Sequence, residues 1–347
     1  MLDSRGMSTS STAWKETIAA DEPERFERLG QQLRALQERR ARGGAAGRAL
    51  HLKGQGGLAA EFTVLPDLPA HARQGLFAEP KTYRAFVRYS NGAGVRQPDG
   101  KPDVRGVAIK VLGVPGRKLI PGLEDATTQD FLLIQSAATP FADVDEFVWF
   151  VVAAERPALL LPRAIFRLGP VRAIQLISRL VKGLSKPVAS VATSRYWSAL
   201  PIRFAAHAVK CALTPHEAPD PAAPVGREPE RLATELAARL ARGPVTYDFQ
   251  VQFYVDDEKT PIESSTKEWL EADAPFVTVA HLTLPKQDVG SAEARALAER
   301  IETLSFDPWH ALEAHRPLGA MMRARNAAYR LSTQGRAAAP EPVDGAP

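Results

Sequence analysis

Residues 87–111 read VRYSNGAGVRQPDGKPDVRGVAIKV. Two β-rich runs, VRYS and VRGVAIKV, flank a spacer crowded with Gly, Pro and Asp, which predicts two strands joined by a turn-rich loop. Outward from this pair the texture repeats. EFTVL (61–65), DFLLIQS (130–136), VTYDFQVQFYV (245–255) and FVTVAHLTL (276–284) are short runs rich in Val, Phe, Tyr and Thr. So many strands predict an antiparallel barrel or sandwich. Helical patterning interrupts them at 12–42, 143–155, 157–183 (a pair), 229–242, 291–303 and 317–332. In the first of these, Phe26, Leu29, Leu33 and Leu36 fall on one stripe, with acids early and arginines late. The expected class is α+β: a large antiparallel barrel with helices outside and between its strands. The expected organisation is an N-terminal helical arm over 1–44, a core over 45–335 and a disordered Ala/Pro-rich tail over 336–347.

Composition narrows the function. The chain has 347 residues, is 45% hydrophobic and 24% charged, and carries a net charge of +4. That balance fits a globular protein and lacks the dense one-face basic pattern of a nucleic-acid binder. A single cysteine, Cys211, rules out an internal disulfide framework or a thiolate metal cluster and fits a reducing, cytoplasmic setting. The first residues have no apolar core, so a secretory signal is not expected. The apolar region at 157–181 is broken by Arg163, Arg167, Arg172, Arg179, Pro162 and Gly169–Pro170, so no integral membrane segment is expected. A pair of amphipathic helices is expected instead, packing on the core or lining an apolar channel, with a membrane-surface role as the alternative. No strand-anchored G-x-G-x-x-G supports a nicotinamide cofactor, and the remaining histidines show no H-x-x-H spacing.

Three patterns could carry chemistry. In RARNAAYR, Arg325 and Tyr329 are four apart on a helix and share a face. A guanidinium beside a phenol favours the ionised form, and tyrosinate is an axial ligand of haem iron. The plainer alternative is a tyrosine packed on an arginine stem. In RALHLKGQGG (48–57), His51 lies between leucines and is followed by Gly54, Gly56 and Gly57. It is either a satisfied core histidine or an acid/base in a dry pocket, with the glycines letting backbone approach a flat ligand. Arg88 and Ser90 sit two apart on a strand and share a face, and Asp103, Arg105 and Gly106 mark the turn into the next strand. These charges suit either ligand carboxylates or ion pairs on a barrel rim.

Taken in order, these segments resemble the haem catalases. RALHLKGQG is similar to the family's R-x-x-H-x-x-G-x-G segment. VRYSNGAGVR is similar to V-R-F-S-T-V-A-G-x-x, and DVRGVAIKV to D-P-R-G-F-A-V-K-F. DFLLIQS is similar to the strand that follows, and R-N-A-A-Y to the proximal R-x-x-x-Y motif. The resemblance covers about 45–145 and 305–332. It implies a catalase-like antiparallel β-barrel with surrounding helices, and haem b bound between the barrel and a C-terminal helix. It further implies a haem-dependent catalase or peroxidase that cleaves the O–O bond of hydrogen peroxide or an organic hydroperoxide. By position, Tyr329 would be the iron ligand, supported by Arg325. His51 would be the distal acid/base and Ser90 its hydrogen-bond partner. Arg48 and Arg88 would hold haem propionates, Asp103 would stand where the family has a channel aspartate, and Phe141 would pack near the haem edge.

The chain also departs from the family. Where catalases have a distal asparagine, ATTQDFLLIQS offers Thr127 and Thr128, and a hydroxyl there would have to meet the peroxide. The only asparagines are Asn91 and Asn326. The chain is shorter than the classical enzymes, so a minimal catalase-related protein is expected. Rearrangement or use of fatty-acid hydroperoxides, with 157–183 lining the pocket, is one alternative, and a non-catalytic haem-binding protein is another. The 12–42 helix is a candidate for joining copies into a homo-oligomer.

Overall fold

The computed structural model describes residues 10–41, 46–184, 188–218, 226 and 228–342. Parts of the expected arm (1–9 and 42–44) and tail (343–347) lie outside them. Among the described residues there are nine strands: β1 (Gly54–Val64), β2 (Thr82–Asn91), β3 (Arg105–Leu112), β4 (Thr128–Ile134), β5 (Tyr196–Trp197), β6 (Ile202–Phe204), β7 (His207–Pro215), β8 (Val245–Phe253) and β9 (Phe276–Leu284). They form one sheet in the order β5-β4-β3-β2-β1-β9-β8-β7-β6, and a β5–β7 pairing closes eight of them into a barrel, with β6 appended. Every pairing is antiparallel. The expected α+β barrel is therefore what the chain forms.

Alternation fixes which side chains point inward. Phe62 of β1, Phe131 of β4 and Phe249 of β8 meet with centroids 5.2, 4.8 and 6.1 Å apart, and Phe77, from between β1 and β2, joins them. The barrel is filled by aromatic rings, so chemistry is left to its outer surface and rim.

Among the described residues seven α-helices surround it: α1 (Glu22–Ala41), α2 (Val144–Ala153), α3 (Leu160–Leu168), α4 (Pro170–Leu184), α5 (Arg231–Arg242), α6 (Ala292–Thr303) and α7 (Ala320–Gly335). The first begins ten residues later than its periodicity suggested. Pro23 belongs in a first helical turn, where its missing N–H is no loss. Ahead of the helix the backbone is extended, with Trp14 Nε1 donating to Ala206 O and Ser11 N to Tyr254 O.

α1 holds α7. A Cβ on Gly30 would stand 3.0 Å from Leu331 Cδ1 and 3.4 Å from the backbone of Ala327, so the glycine sets how closely the helices approach. Arg323 pairs with Glu22 at 2.7 Å and Glu16 at 2.5 Å, and Arg330 with Glu27 at 2.5 Å. Gly30→Leu should therefore force the helices apart and cost about 1–3 kcal/mol, read as a lower thermal midpoint.

The tail is a correction to the sequence reading. Residues 336–342 are seated: Ala339 bridges Leu304, and Glu341 reaches the buried Lys110 Nζ at 2.6 Å. Lys110 also meets Asp130 at 2.8 Å. A buried ammonium attracts carboxylates strongly because little water is present to solvate it, and this lysine draws the tail in.

Candidate active site

His51 lies three residues ahead of β1 with φ 55°, a left-handed conformation that few non-glycine residues adopt. Its backbone is pinned on both sides. His51 N donates to Gly92 O at 3.0 Å, and His51 O accepts from Arg88 Nη2 at 3.0 Å. The ring lies over Gly106 of β3, where a Cβ would stand 2.7 Å from His51 Cε1. Gly106 pairs with Ser90 across the ladder, so the two share a face. Ser90 Oγ sits 3.0 Å from His51 Nδ1, as the motif implied. Burial, then the positive charges of Arg88, Arg325 and Arg48, push the imidazole down to about 3. The ring is therefore neutral at any ordinary pH.

On α7, Arg325 Nη2 donates to Tyr329 Oη at 2.8 Å, and the guanidinium lies 5.1 Å from the phenol ring centre. This is the i, i+4 face read from the sequence. Tyr329 acts electrostatically on Arg48, and Arg325 acts on His51, so the two motifs share one neighbourhood.

Arg48 and Arg88 converge on a residue that the sequence gave no reason to single out. Arg48 Nη1 reaches Glu302 Oε1 at 2.5 Å, while Arg88 reaches Oε2 at 2.8 Å and Oε1 at 3.0 Å. Glu302 ends α6, and its carboxyl is held below its usual range by Arg88 and then Arg48, against the opposing effect of burial. Arg336, seven residues beyond Tyr329, is anchored to Thr303 O and Leu304 O and adds its charge there. Its i+7 position is a signal the sequence did contain. The cluster gathers three guanidiniums about one carboxylate, an environment built for carboxylate oxygens. With the Tyr329 oxygen donor and a neutral imidazole nearby, the residues present fit a haem.

Two expected contributions, those of Thr128 and of Gly56 with Gly57, are placed differently. Thr128 does not reach His51. It opens β4, whereas Ile134 at the other end of that strand is the partner of Gly106. The six-residue offset is about 20 Å of strand. Thr128 Oγ1 instead contacts His310 Nε2 at 2.5 Å and Glu341 Oε2 at 2.9 Å. Gly56 and Gly57 are not spaces for a flat ligand: Cβ atoms there would meet Leu236 of α5 and Ala298 and Ile301 of α6. Phe141 belongs to an aromatic group with Phe147 and Phe150 of α2, at 5.2 and 5.1 Å. Asp103 is bound into the loop after β2, accepting from Ala93 N at 3.1 Å and Gln97 Nε2 at 3.0 Å. Trp309 Nε1 donates to Met322 O and ties the segment before α7 to that helix.

No protein-family model matches the chain. Over 271 residues it is 29% identical to a catalase-related peroxidase from Mycolicibacterium paratuberculosis, covering 73% of this chain and 78% of that one. Among solved structures it is similar to catalase A from Saccharomyces cerevisiae, with a TM-score of 0.67 at 14% identity over 97% of this chain and 71% of that one. A bacterial catalase gives 0.63 at 16% identity, again over 97% of this chain. The chain spans 64% of the length of that bacterial protein. At such identities the solved structures speak for the fold alone, and that fold is the catalase fold. The resemblance read from the motifs is thus borne out.

Proposed function

We propose that this catalase-like chain is a haem oxidoreductase that cleaves the O–O bond of hydrogen peroxide or an organic hydroperoxide. The supporting observation is the state of His51: half-buried, neutral, held in a left-handed conformation and bonded through Nδ1 to Ser90, beside the Arg325–Tyr329 pair. A residue kept in a costly backbone conformation by contacts on both sides is a functional candidate. The catalase-related peroxidase among its relatives points the same way.

A haem, when bound, supplies a ferric Lewis acid and the electrons for O–O cleavage. Tyr329 would give its oxygen to the iron, with Arg325 donating a hydrogen bond to that oxygen. Arg48, Arg88 and Arg336 would hold its carboxylates, sharing them with Glu302. The work of His51 is proton movement. In the tautomer that donates Nδ1–H to Ser90 Oγ, Nε2 would be free to take a proton from one peroxide oxygen. The same Nε2 would then return it to the other oxygen, which leaves as water or an alcohol. Ser90 fixes the ring so that one nitrogen serves both transfers.

Because the ring is neutral down to about pH 3, the peroxide step should be flat from about pH 5 to about pH 9 as far as His51 is concerned. An inflection near 6.5 in kcat/KM that disappears on replacing His51 would contradict this.

A preference for organic hydroperoxides over hydrogen peroxide is favoured by the placement of Thr128, far along β4 from His51. The Asn91 amide is also engaged, bonding Gln55 and Asp99. The test of the whole reading is an absorption titration with haem, followed by hydrogen peroxide and tert-butyl hydroperoxide. A Soret band and consumption of either peroxide are expected, and a protein that does neither ends the proposal.

A further inference from the structure

The α3–α4 hairpin turns its apolar side outward. Phe166 is 95% exposed, Val171 69% and Ile174 63%, with Leu161, Ile165 and Val181 also exposed. On the inner side lie the small Ala164 and Ala173, with Leu176 fully buried. The helices are joined at Gly169 (φ 77°), and Arg172 fastens them to Glu146 of α2. The inner side packs on the core, as the sequence reading expected, through Leu176 with Leu168 and Leu180 beside it, and the outward apolar side brings in the membrane-surface alternative. Six large apolar side chains exposed on one short hairpin mark a candidate interaction site.

Charge identifies the partner. The sequence has no Asp or Glu between Glu155 and Glu217. Among the described residues, Arg156, Arg163, Arg167 and Arg179 have no carboxylate partner. Arg163 and Arg167 share the wall of a hollow of about 460 Å³ between α2 and α3 with Trp149, Val152, Pro162 and Phe166. Apolar side chains beside unneutralised arginines fit a surface with acyl chains below and phosphates above. A second copy fits poorly, because a two-fold interface sets the same patch against itself, arginine against arginine. No helix among the described residues is long and apolar enough to cross a membrane. α4, with 15 residues, is about 22 Å long, short of a bilayer core.

We propose that the α3–α4 hairpin docks on an anionic lipid bilayer. Its apolar stripe lies at the acyl boundary, and Arg163 and Arg167 engage headgroup phosphates. This does not rest on the peroxide reading, and its test uses neither haem nor peroxide.

The experiment is flotation of the full chain with phosphatidylcholine vesicles, with and without about one third phosphatidylglycerol. Binding to the anionic vesicles only, released by about 0.5 M salt, is expected. Arg163→Gln/Arg167→Gln should weaken it roughly 30-fold, and Phe166→Asp should abolish it. Ile174→Ser on the other helix should also weaken it, with circular dichroism and thermal unfolding as the fold control. Equal binding to neutral vesicles overturns the proposal, as does undiminished binding by Phe166→Asp. Absence of vesicle binding also overturns it. If Phe166→Asp then also dissociates an oligomer, the face belongs to a second copy.

Discussion

Tyr329→Phe should abolish the Soret band of protein titrated with haem while leaving the fold intact. The substitution removes one oxygen atom and keeps the ring against the Arg325 guanidinium. The grip of α1 on α7 runs through Arg323, Arg330 and Gly30 and does not involve this oxygen. Partners one shell beyond a metal ligand already contribute 10–100-fold in affinity, so loss of the proposed ligand itself should weaken binding by at least about 100-fold. Arg325→Met, which keeps the phenol and removes its donor, should give a smaller loss of about 10–100-fold. Both are read by absorption titration. Unchanged haem affinity in Tyr329→Phe would show that the iron is held elsewhere.

His51→Ala is the second large effect, and its signature is the converse. Haem affinity should stay near that of the parent, while the peroxide step slows by about 10²–10⁴-fold, the usual contribution of a positioned acid/base. A change in Soret intensity on mixing with peroxide, followed by stopped flow, measures it. Ser90→Ala should lie between, since it leaves the imidazole and frees its tautomer. Full peroxide turnover by His51→Ala would end the acid/base assignment.

Much of the barrel was legible because strand chemistry is local. Runs such as FVTVAHLTL and YRAFVRYS carry their period and their boundaries within a few residues. The Arg325–Tyr329 and His51–Ser90 pairs were legible too, the first through helical spacing and the second through resemblance. What stayed hidden depends on contacts between distant segments. Nothing in AERIET marks Glu302 as the carboxylate that gathers Arg48 and Arg88, because the arginines lie more than 200 residues earlier. Gly56 and Gly57 looked like space for a ligand, yet they make room for α5 and α6. Thr128 was placed beside His51 by alignment order, but its register along β4 puts it at the other end of the strand. The tail looked disordered by composition, and a single buried lysine seats part of it.

The contact between α1 and α7 has a consequence for how the protein is made. Arg323 and Glu22 are 301 positions apart, so the first helix is synthesised long before its partner leaves the ribosome. Contacts of such sequence separation form late, after the loop between them has closed. The Arg325–Tyr329 pair lies on α7, after every strand of the barrel in chain order, so it is synthesised after them. Of the candidate site, the His51–Ser90 half is thus made with the first strands and the Arg325–Tyr329 half with the last helix, and the two halves meet late.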